Sequence, residues 1–153
     1  MSRLKSGDKA PDFELSDQSG NIVSLSNFKG KRLLVYFYPR ALTPGCTTQS
    51  CAVRDAKEQL KSLECEAIGI SPDKPEKQKK FDTKHSLGFP LLCDTEYTVA
   101  ESFGAWGEKK LYGKTFLGII RSAFLVDEDG KIIDAWYKVK PKDTVPNVLD
   151  LLR

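Results

Sequence analysis

The chain is poor in the residues that build metal centres and hydrolase dyads. It has one histidine and four cysteines, and no two of those cysteines form a C-x-x-C pair. A Cys–His dyad or a zinc centre would have to rest on His85, which lies in a basic stretch and reads as solvated surface. Neither a zinc ribbon nor a thioredoxin-type dithiol is supported, and no metal is expected. Four cysteines in 153 residues is also far below the density of a disulfide scaffold. No apolar run approaches the roughly 18 residues of a membrane span. The segment Met1–Asp8 lacks the apolar stretch and small-residue cleavage site of a secretory leader. Charge of one sign is scarce too: 24 Lys plus Arg against 21 Asp plus Glu leave +3, too little to suggest a nucleic-acid or membrane partner. Repeats, low-complexity tracts and long Pro, Gly or Ser linkers are missing. The expectation is one domain spanning 1–153, cytoplasmic, with reduced thiols.

With 40% apolar and 29% charged residues, the chain can bury a core. Phe13–Leu15 and Ile22–Leu25, separated by Gln18-Ser19-Gly20-Asn21, predict an N-terminal β-hairpin. Leu33–Tyr38 is apolar on both faces and ends at Pro39, which suits a central strand covered on both sides. Thr43-Pro44 reads as a capping hydroxyl followed by proline in the first helical position. Behind it Ala52, Val53, Ala56, Leu60 and Leu63 recur at helical spacing. Ala67–Ile70 closes a strand–helix–strand unit, which implies parallel strands.

Further on, residues 74–85 predict an amphipathic helix starting near Pro72-Asp73, 91–93 a short strand and 99–103 a short helix. Ala123–Val126 and Ile132–Trp136 flank the hairpin turn Asp127-Glu128-Asp129-Gly130. A helix over about 143–152 tolerates Pro146 only near its start. This order predicts an α/β fold with a mixed central sheet flanked by helices. The lysines of 74–84 alternate with Asp73, Glu76 and Asp82, a solvated helix face rather than a nucleic-acid site.

One segment carries chemistry. If Thr43 is the N-cap, Cys46 sits in the first helical turn, among unpaired N–H groups and at the positive end of the helix dipole. Both favour thiolate, the nucleophilic form of cysteine. Cys51 lies five residues on. In an intact helix such positions are about 140° apart with Cα atoms roughly 8–9 Å apart, whereas a disulfide needs less than about 7 Å. Cys46 and Cys51 therefore cannot bond unless the helix start unwinds, which would couple oxidation to a local order–disorder change.

Cys65, between two glutamates, and Cys93, before Asp94, sit near negative charge that disfavours thiolate. They read as small buried residues, with Cys93 open as a second disulfide partner. Arg121 interrupts the apolar run Leu117–Val126. It either pairs with an anion such as a Cys46 thiolate or points to solvent from an edge strand, and spacing alone leaves both readings open. Arg40 and Arg54 are further candidates for the anion's partner.

The pattern Pro39-x-x-x-Thr43-x-x-Cys46 resembles the signature of peroxiredoxins. Tyr36–Pro39, Thr43–Thr47, Cys51 and Arg54-Asp55 look like the Q-type branch, the bacterioferritin comigratory proteins. Gly69–Ser71, Asp73–Pro75, Trp106–Lys109 and Arg121–Asp127 extend the likeness over almost the entire chain. The resemblance implies a thioredoxin-like fold and thiol-dependent reduction of hydrogen peroxide and organic hydroperoxides. It implies that Cys46 is the peroxidatic nucleophile, that Thr43 bonds thiolate and substrate, that Arg121 steadies the charge and that Pro39 shields the pocket. It also implies that Cys51 resolves the Cys46 sulfenic acid as a disulfide, which thioredoxin reduces. No metal or organic cofactor is implied, and the branch is often monomeric.

Two departures from the branch pattern bear on pocket polarity: Ala41-Leu42 where a polar pair is frequent, and Gln49 where glutamate is frequent. Competing functions are a redox sensor or holdase-like protein that stalls after one oxidation, and a general dithiol oxidoreductase. Trp106–Lys109 has no physical account at this level.

Overall fold

The computed structural model describes residues 3–153. The N-terminal hairpin pairs β1 (Glu14–Ser16) with β2 (Ile22–Ser24). Asp17 organises its turn, its carboxylate accepting from the Ser19 and Asn21 amides. A 3-10 turn at Leu25–Phe28 then leads to β3 (Arg32–Phe37). The remaining strands of the main sheet are β4 (Cys65–Ser71), β5 (Leu91–Cys93), β8 (Ser122–Val126) and β9 (Ile132–Tyr137). Their order is β5-β4-β3-β8-β9, so β3 lies in the middle. It runs parallel to β4 and antiparallel to β8, the mixed sheet expected.

Alternation along β3 divides the core in two. Leu34 and Tyr36 face one cluster, with Val53, Leu60, Phe81 and Val148 from the helices α1 (Pro44–Ser62), α2 (Pro75–His85) and α4 (Thr144–Leu152). Leu33, Val35 and Phe37 face the other, with Phe13, Phe103 and Phe124. All but the first residue of β3 are buried, which is why its sequence is apolar on both faces. Gly69 sits opposite Tyr36 on β4. A Cβ there would lie 2.8 Å from the Tyr36 ring, so glycine is what lets that ring cross the strand.

The helix α3 (Thr98–Ser102) is capped from outside. Buried Asp94 accepts from the Val99 and Ala100 amides. The second helix begins at Pro75 with Lys74 as N-cap, slightly beyond the predicted start.

The chain also contains a hairpin that residue patterning does not reveal, β6 (Trp106–Leu111) paired with β7 (Lys114–Ile119). Its two-residue turn, Tyr112-Gly113, has positive φ at both positions (52° and 77°), the twist that suits a tight hairpin. The apolar run around Arg121 is therefore not one strand: β7 ends at Ile119 and β8 starts at Ser122, with Arg121 in the joint.

Candidate active site

Phe37 ends the central strand, and Tyr38–Thr43 turns the chain into α1. Pro44 occupies the first helical position, which leaves Cys46 third. The Cys46 side chain is buried, and its face of α1 continues through Gln49, Ser50, Val53, Ala56 and Leu60 at helical spacing. Thr43 has the extended backbone of an N-cap, but its hydroxyl makes no cap. It donates instead to the Arg40 carbonyl at 2.7 Å, a correction to the expected capping hydroxyl. The first turn of α1 therefore has no side-chain cap.

Arg121 reaches Cys46 across the fold. Its Nη2 donates to Sγ at 3.5 Å, and its Nη1 donates to Gln49 Oε1 at 2.8 Å. Arg121 is therefore turned into the fold against Cys46 and Gln49 and does not point to solvent from an edge strand. Gly45 makes the approach feasible, since a Cβ there would stand 3.0 Å from Nη2. The chain of bonds continues, with Gln49 Nε2 donating to Thr144 Oγ1 at 2.9 Å. Gln49 and Thr144 are both fully buried. In the sequence Gln49 stands out only as a departure from the branch pattern. Its place three residues after Cys46, on the same helical face, was the available signal.

Under the first turns of α1, the Tyr36 hydroxyl shares a 2.7 Å hydrogen bond with Ser50 Oγ. Burial pushes the Tyr36 hydroxyl well above the ordinary phenol range, with Cys46 and Cys51 adding to the effect and Ser50 and Arg121 opposing it. Tyr36 thus stays a neutral phenol beside the cysteines. Cys51, half-buried, is a free thiol on the same unbroken helix as Cys46.

A cavity of about 690 Å³ opens beside Arg121, lined by Pro39, Ile120 and Val139 and by Lys109, Lys110 and Lys138 against Glu108. Of Trp106–Lys109, β6 carries Glu108 and Lys109 into the lining of this cavity, while Trp106 packs on Tyr97 with ring centroids 4.3 Å apart. Burial, then the Arg121 charge, holds the Lys109 ammonium below its ordinary range, against the pull of Cys46.

Other candidates lie elsewhere. Arg40 is exposed. Arg54 donates to the Asp55 carboxylate and to the His85 carbonyl at the end of α2, so it braces two helices. The Asp55 hydrogen bond is the main reason its guanidinium is held above its ordinary range. The His85 ring is half-buried edge-on against Phe81, with centroids 5.7 Å apart, rather than fully solvated.

Cys65 and Cys93 are buried free thiols. Burial pushes Cys65 up to about 12, and the neighbouring glutamate that sequence suggested is a minor contributor behind the opposing pull of Arg32. Burial likewise pushes Cys93 up to about 11, with Asp17, Asp73 and Glu76 adding to it. Among the described residues, no group of three or more His, Cys, Asp or Glu is placed to hold a metal ion, and no helix is long and apolar enough to cross a membrane.

A model of the AhpC/TSA family matches residues 6–135. The chain belongs to that family. It is 50% identical to a putative peroxiredoxin of Haemophilus influenzae over 153 residues, covering 100% of this chain and 99% of that one. It is 48% identical to peroxiredoxin Bcp of Bacillus subtilis, covering 98% and 96% of the two chains. Among solved structures, the peroxidoxin BcpB of Mycobacterium tuberculosis superposes with a TM-score of 0.87 at 35% identity, covering 99% and 97%. A bacterioferritin comigratory protein of Xanthomonas campestris, solved to explain its alkyl peroxide reduction activity, gives 0.86 at 33%, covering 92% and 89%. These relatives make the chain a thiol-dependent peroxidase with the thioredoxin-like peroxiredoxin fold.

Proposed function

We propose that this peroxiredoxin reduces hydrogen peroxide and organic hydroperoxides through Cys46, with Cys51 as the resolving thiol and thioredoxin or a similar dithiol protein as reductant. The observation that carries the assignment is the Arg121 guanidinium on Cys46 Sγ at the start of α1. A fixed cation and the positive end of a long helix meet at one sulfur, and both stabilise a thiolate.

The Cys46 thiolate attacks one peroxide oxygen and the O–O bond breaks. That oxygen stays on sulfur as a sulfenic acid, and the other leaves with a proton as water or alcohol. Arg121 faces the charge that develops on the leaving oxygen, a preorganised donor of the kind that lowers such barriers. The Thr43 hydroxyl, donating to Arg40, keeps lone pairs with which to accept from the incoming hydroperoxide. Pro39 walls the pocket. The Cys51 thiol then displaces water from the sulfenic acid to form the disulfide, and an external dithiol returns both cysteines to thiols by exchange. In this reading the protein works as a cytoplasmic monomer, without metal or organic cofactor, nucleic acid or membrane.

The test is the second-order rate at which the reduced protein reacts with hydrogen peroxide, set against a free cysteine thiolate. An acceleration of about 10⁴-fold, roughly 5.5 kcal/mol of transition-state stabilisation, is expected for the native chain and none for Cys46→Ser. A native rate near that of the free thiolate would reject the assignment.

A further inference from the structure

The loop that delivers Cys46 is thinly held. Pro39 and Pro44 have no N–H to give. Among the described residues, the Ala41 amide is the only backbone donor between Pro39 and Pro44 bonded to the rest of the fold, and it donates to Asp73 Oδ2 at 2.6 Å. Leu42, the next residue, has φ +69°, a left-handed conformation that a leucine keeps only where its surroundings impose it. Leu42 also lines a cavity with Asp73 and the start of α2.

Asp73 is itself fixed. Its carboxylate accepts from Ser71 Oγ at 2.7 Å, and Lys77 Nζ stands 3.4 Å from Oδ1. Its side chain is only 9% exposed. Ser71 Oγ accepts in turn from Gln78 Nε2 at 2.9 Å, and Gln78 takes the Tyr38 hydroxyl on its other end. One buried network from β4 and α2 therefore grips the loop at both Tyr38 and Ala41. The Asp73–Pro75 stretch, singled out in sequence, has no other role in the site.

We propose that Asp73 is a positioning residue: by holding the Ala41 amide it keeps the loop and the first turn of α1 in the peroxide-reactive form. It thereby sets the fate of oxidised Cys46. Disulfide closure with Cys51 needs the helix start to unwind. Further oxidation needs it intact, because a second peroxide must reach the sulfenic acid in the same pocket, adding one oxygen to give sulfinic acid and leaving as water, or as alcohol from an organic hydroperoxide. Asp73 delays the first route and so exposes the sulfenic acid to the second. Conditions that release Ala41 favour closure. The inference rests on the peroxidase reading.

The experiment compares the native chain with Asp73→Ala, Asp73→Asn and Lys77→Met. Stopped-flow tryptophan fluorescence gives the rate of Cys46 oxidation by hydrogen peroxide. Intact-mass spectrometry gives the peroxide concentration that converts half the protein to sulfinic acid during turnover with a thioredoxin system. Asp73→Ala is expected to oxidise about 3- to 10-fold more slowly and to need several-fold more peroxide for half-conversion. Asp73→Asn keeps an oxygen for the Ala41 amide and is expected to recover most of both values. Lys77→Met removes the ion pair at Oδ1 and leaves both Oδ2 bonds, so it should fall closer to the native chain than Asp73→Ala does. Urea midpoints read any general loss of stability separately, and Asp73→Asn, which keeps the oxygen that holds Ala41, separates positioning from mere scaffolding.

A reactive native chain with Asp73→Ala indistinguishable from it would overturn the proposal alone, as would Asp73→Asn no better than Asp73→Ala. A native chain that does not react with peroxide would instead remove the peroxidase reading. If Asp73→Ala does not fold, Ser71→Ala, which loses one donor to the carboxylate, should shift both readouts in the same direction by a smaller factor. No shift there would overturn the proposal.

Discussion

Gln49 and Thr144 lie 95 residues apart in sequence and meet at 2.9 Å, both fully buried. The bond ties α1 to the first turn of the C-terminal helix and fixes the orientation of the Gln49 amide. With Nε2 spent on Thr144, Oε1 is left to accept from Arg121, whose other arm lies on Cys46. A residue of the last helix thus sets the direction of a guanidinium on the Cys46 sulfur.

Replacing Gln49 by leucine keeps the volume and removes both bonds. The Thr144 hydroxyl and one arm of Arg121 would be left without partners, at a cost of about 1–3 kcal/mol in stability. Arg121 would lose its aim, and Cys46 oxidation should slow by about 10-fold, or roughly 1.4 kcal/mol of activation free energy. Urea unfolding midpoints and stopped-flow oxidation measure the two effects separately.

Arg121 itself bears more. Its fork serves Cys46 and Gln49 at once, and a lysine cannot reproduce that geometry although it keeps the charge. Arg121→Lys is expected to slow oxidation by about 10-fold and Arg121→Ala by about 100-fold, near 2.7 kcal/mol. An alanine variant that oxidises at the native rate would separate the arginine from the chemistry.

The strand–helix–strand unit and the N-terminal hairpin were legible because burial wrote them into the residues: a doubly apolar strand, a proline-started helix, a polar turn. The β6–β7 hairpin was not. Most of β7 and the outer end of β6 face solvent, so little apolar alternation marks them, and the turn is Tyr-Gly rather than the commoner Asn-Gly or Asp-Gly. The position of Cys46 in the first turn of a helix was legible, and that place is what makes it a candidate. Arg121 stood out as a charge in an apolar run, but its partner could not be read, because that contact joins residues 75 positions apart. Thr43 misled for a local reason: cap-type backbone does not oblige the hydroxyl to cap.

Alkaline stability follows from the two buried thiols, Cys65 and Cys93. In the folded chain burial holds Cys65 near 12 and Cys93 near 11, while an unfolded cysteine titrates near 8.5. Above that point the unfolded state binds fewer protons than the folded one, so stability falls as pH rises and is full only below it. Cys65 contributes a loss of up to about 1.4 kcal/mol per pH unit in this window. Urea midpoints at about pH 8 and pH 10.5 should show the fall, and Cys65→Val should flatten part of it. An equally steep fall in that variant would assign the effect to Cys93 or to the buried tyrosines.

Lys109 predicts a charge preference. With Lys110 and Lys138 it makes the mouth of the pocket cationic, against Glu108 alone. A hydroperoxide that carries a carboxylate should therefore oxidise Cys46 faster than its uncharged ester, and the advantage should shrink with added salt. Lys109→Met should reduce that advantage by about 3-fold, while changing the rate with hydrogen peroxide much less. Equal rates for acid and ester in the native chain would show that the mouth does not select by charge.

The last prediction concerns α1 itself. It runs unbroken from Pro44 to Ser62 with both Cys46 and Cys51 inside it as free thiols. Five residues of intact helix hold their Cα atoms roughly 8–9 Å apart, beyond the reach of a disulfide. Bond formation must therefore melt about the first one and a half turns of the helix, and rereduction must restore them. Far-UV circular dichroism at 222 nm should weaken when the native chain is oxidised with one equivalent of hydrogen peroxide, and recover with a dithiol. Cys51→Ser should form the sulfenic acid with no such change. Its Cys46 should then be open to a second oxidation that native protein escapes by closing. Identical spectra for the two redox forms of the native chain would move the resolving role from Cys51 to Cys93 or Cys65.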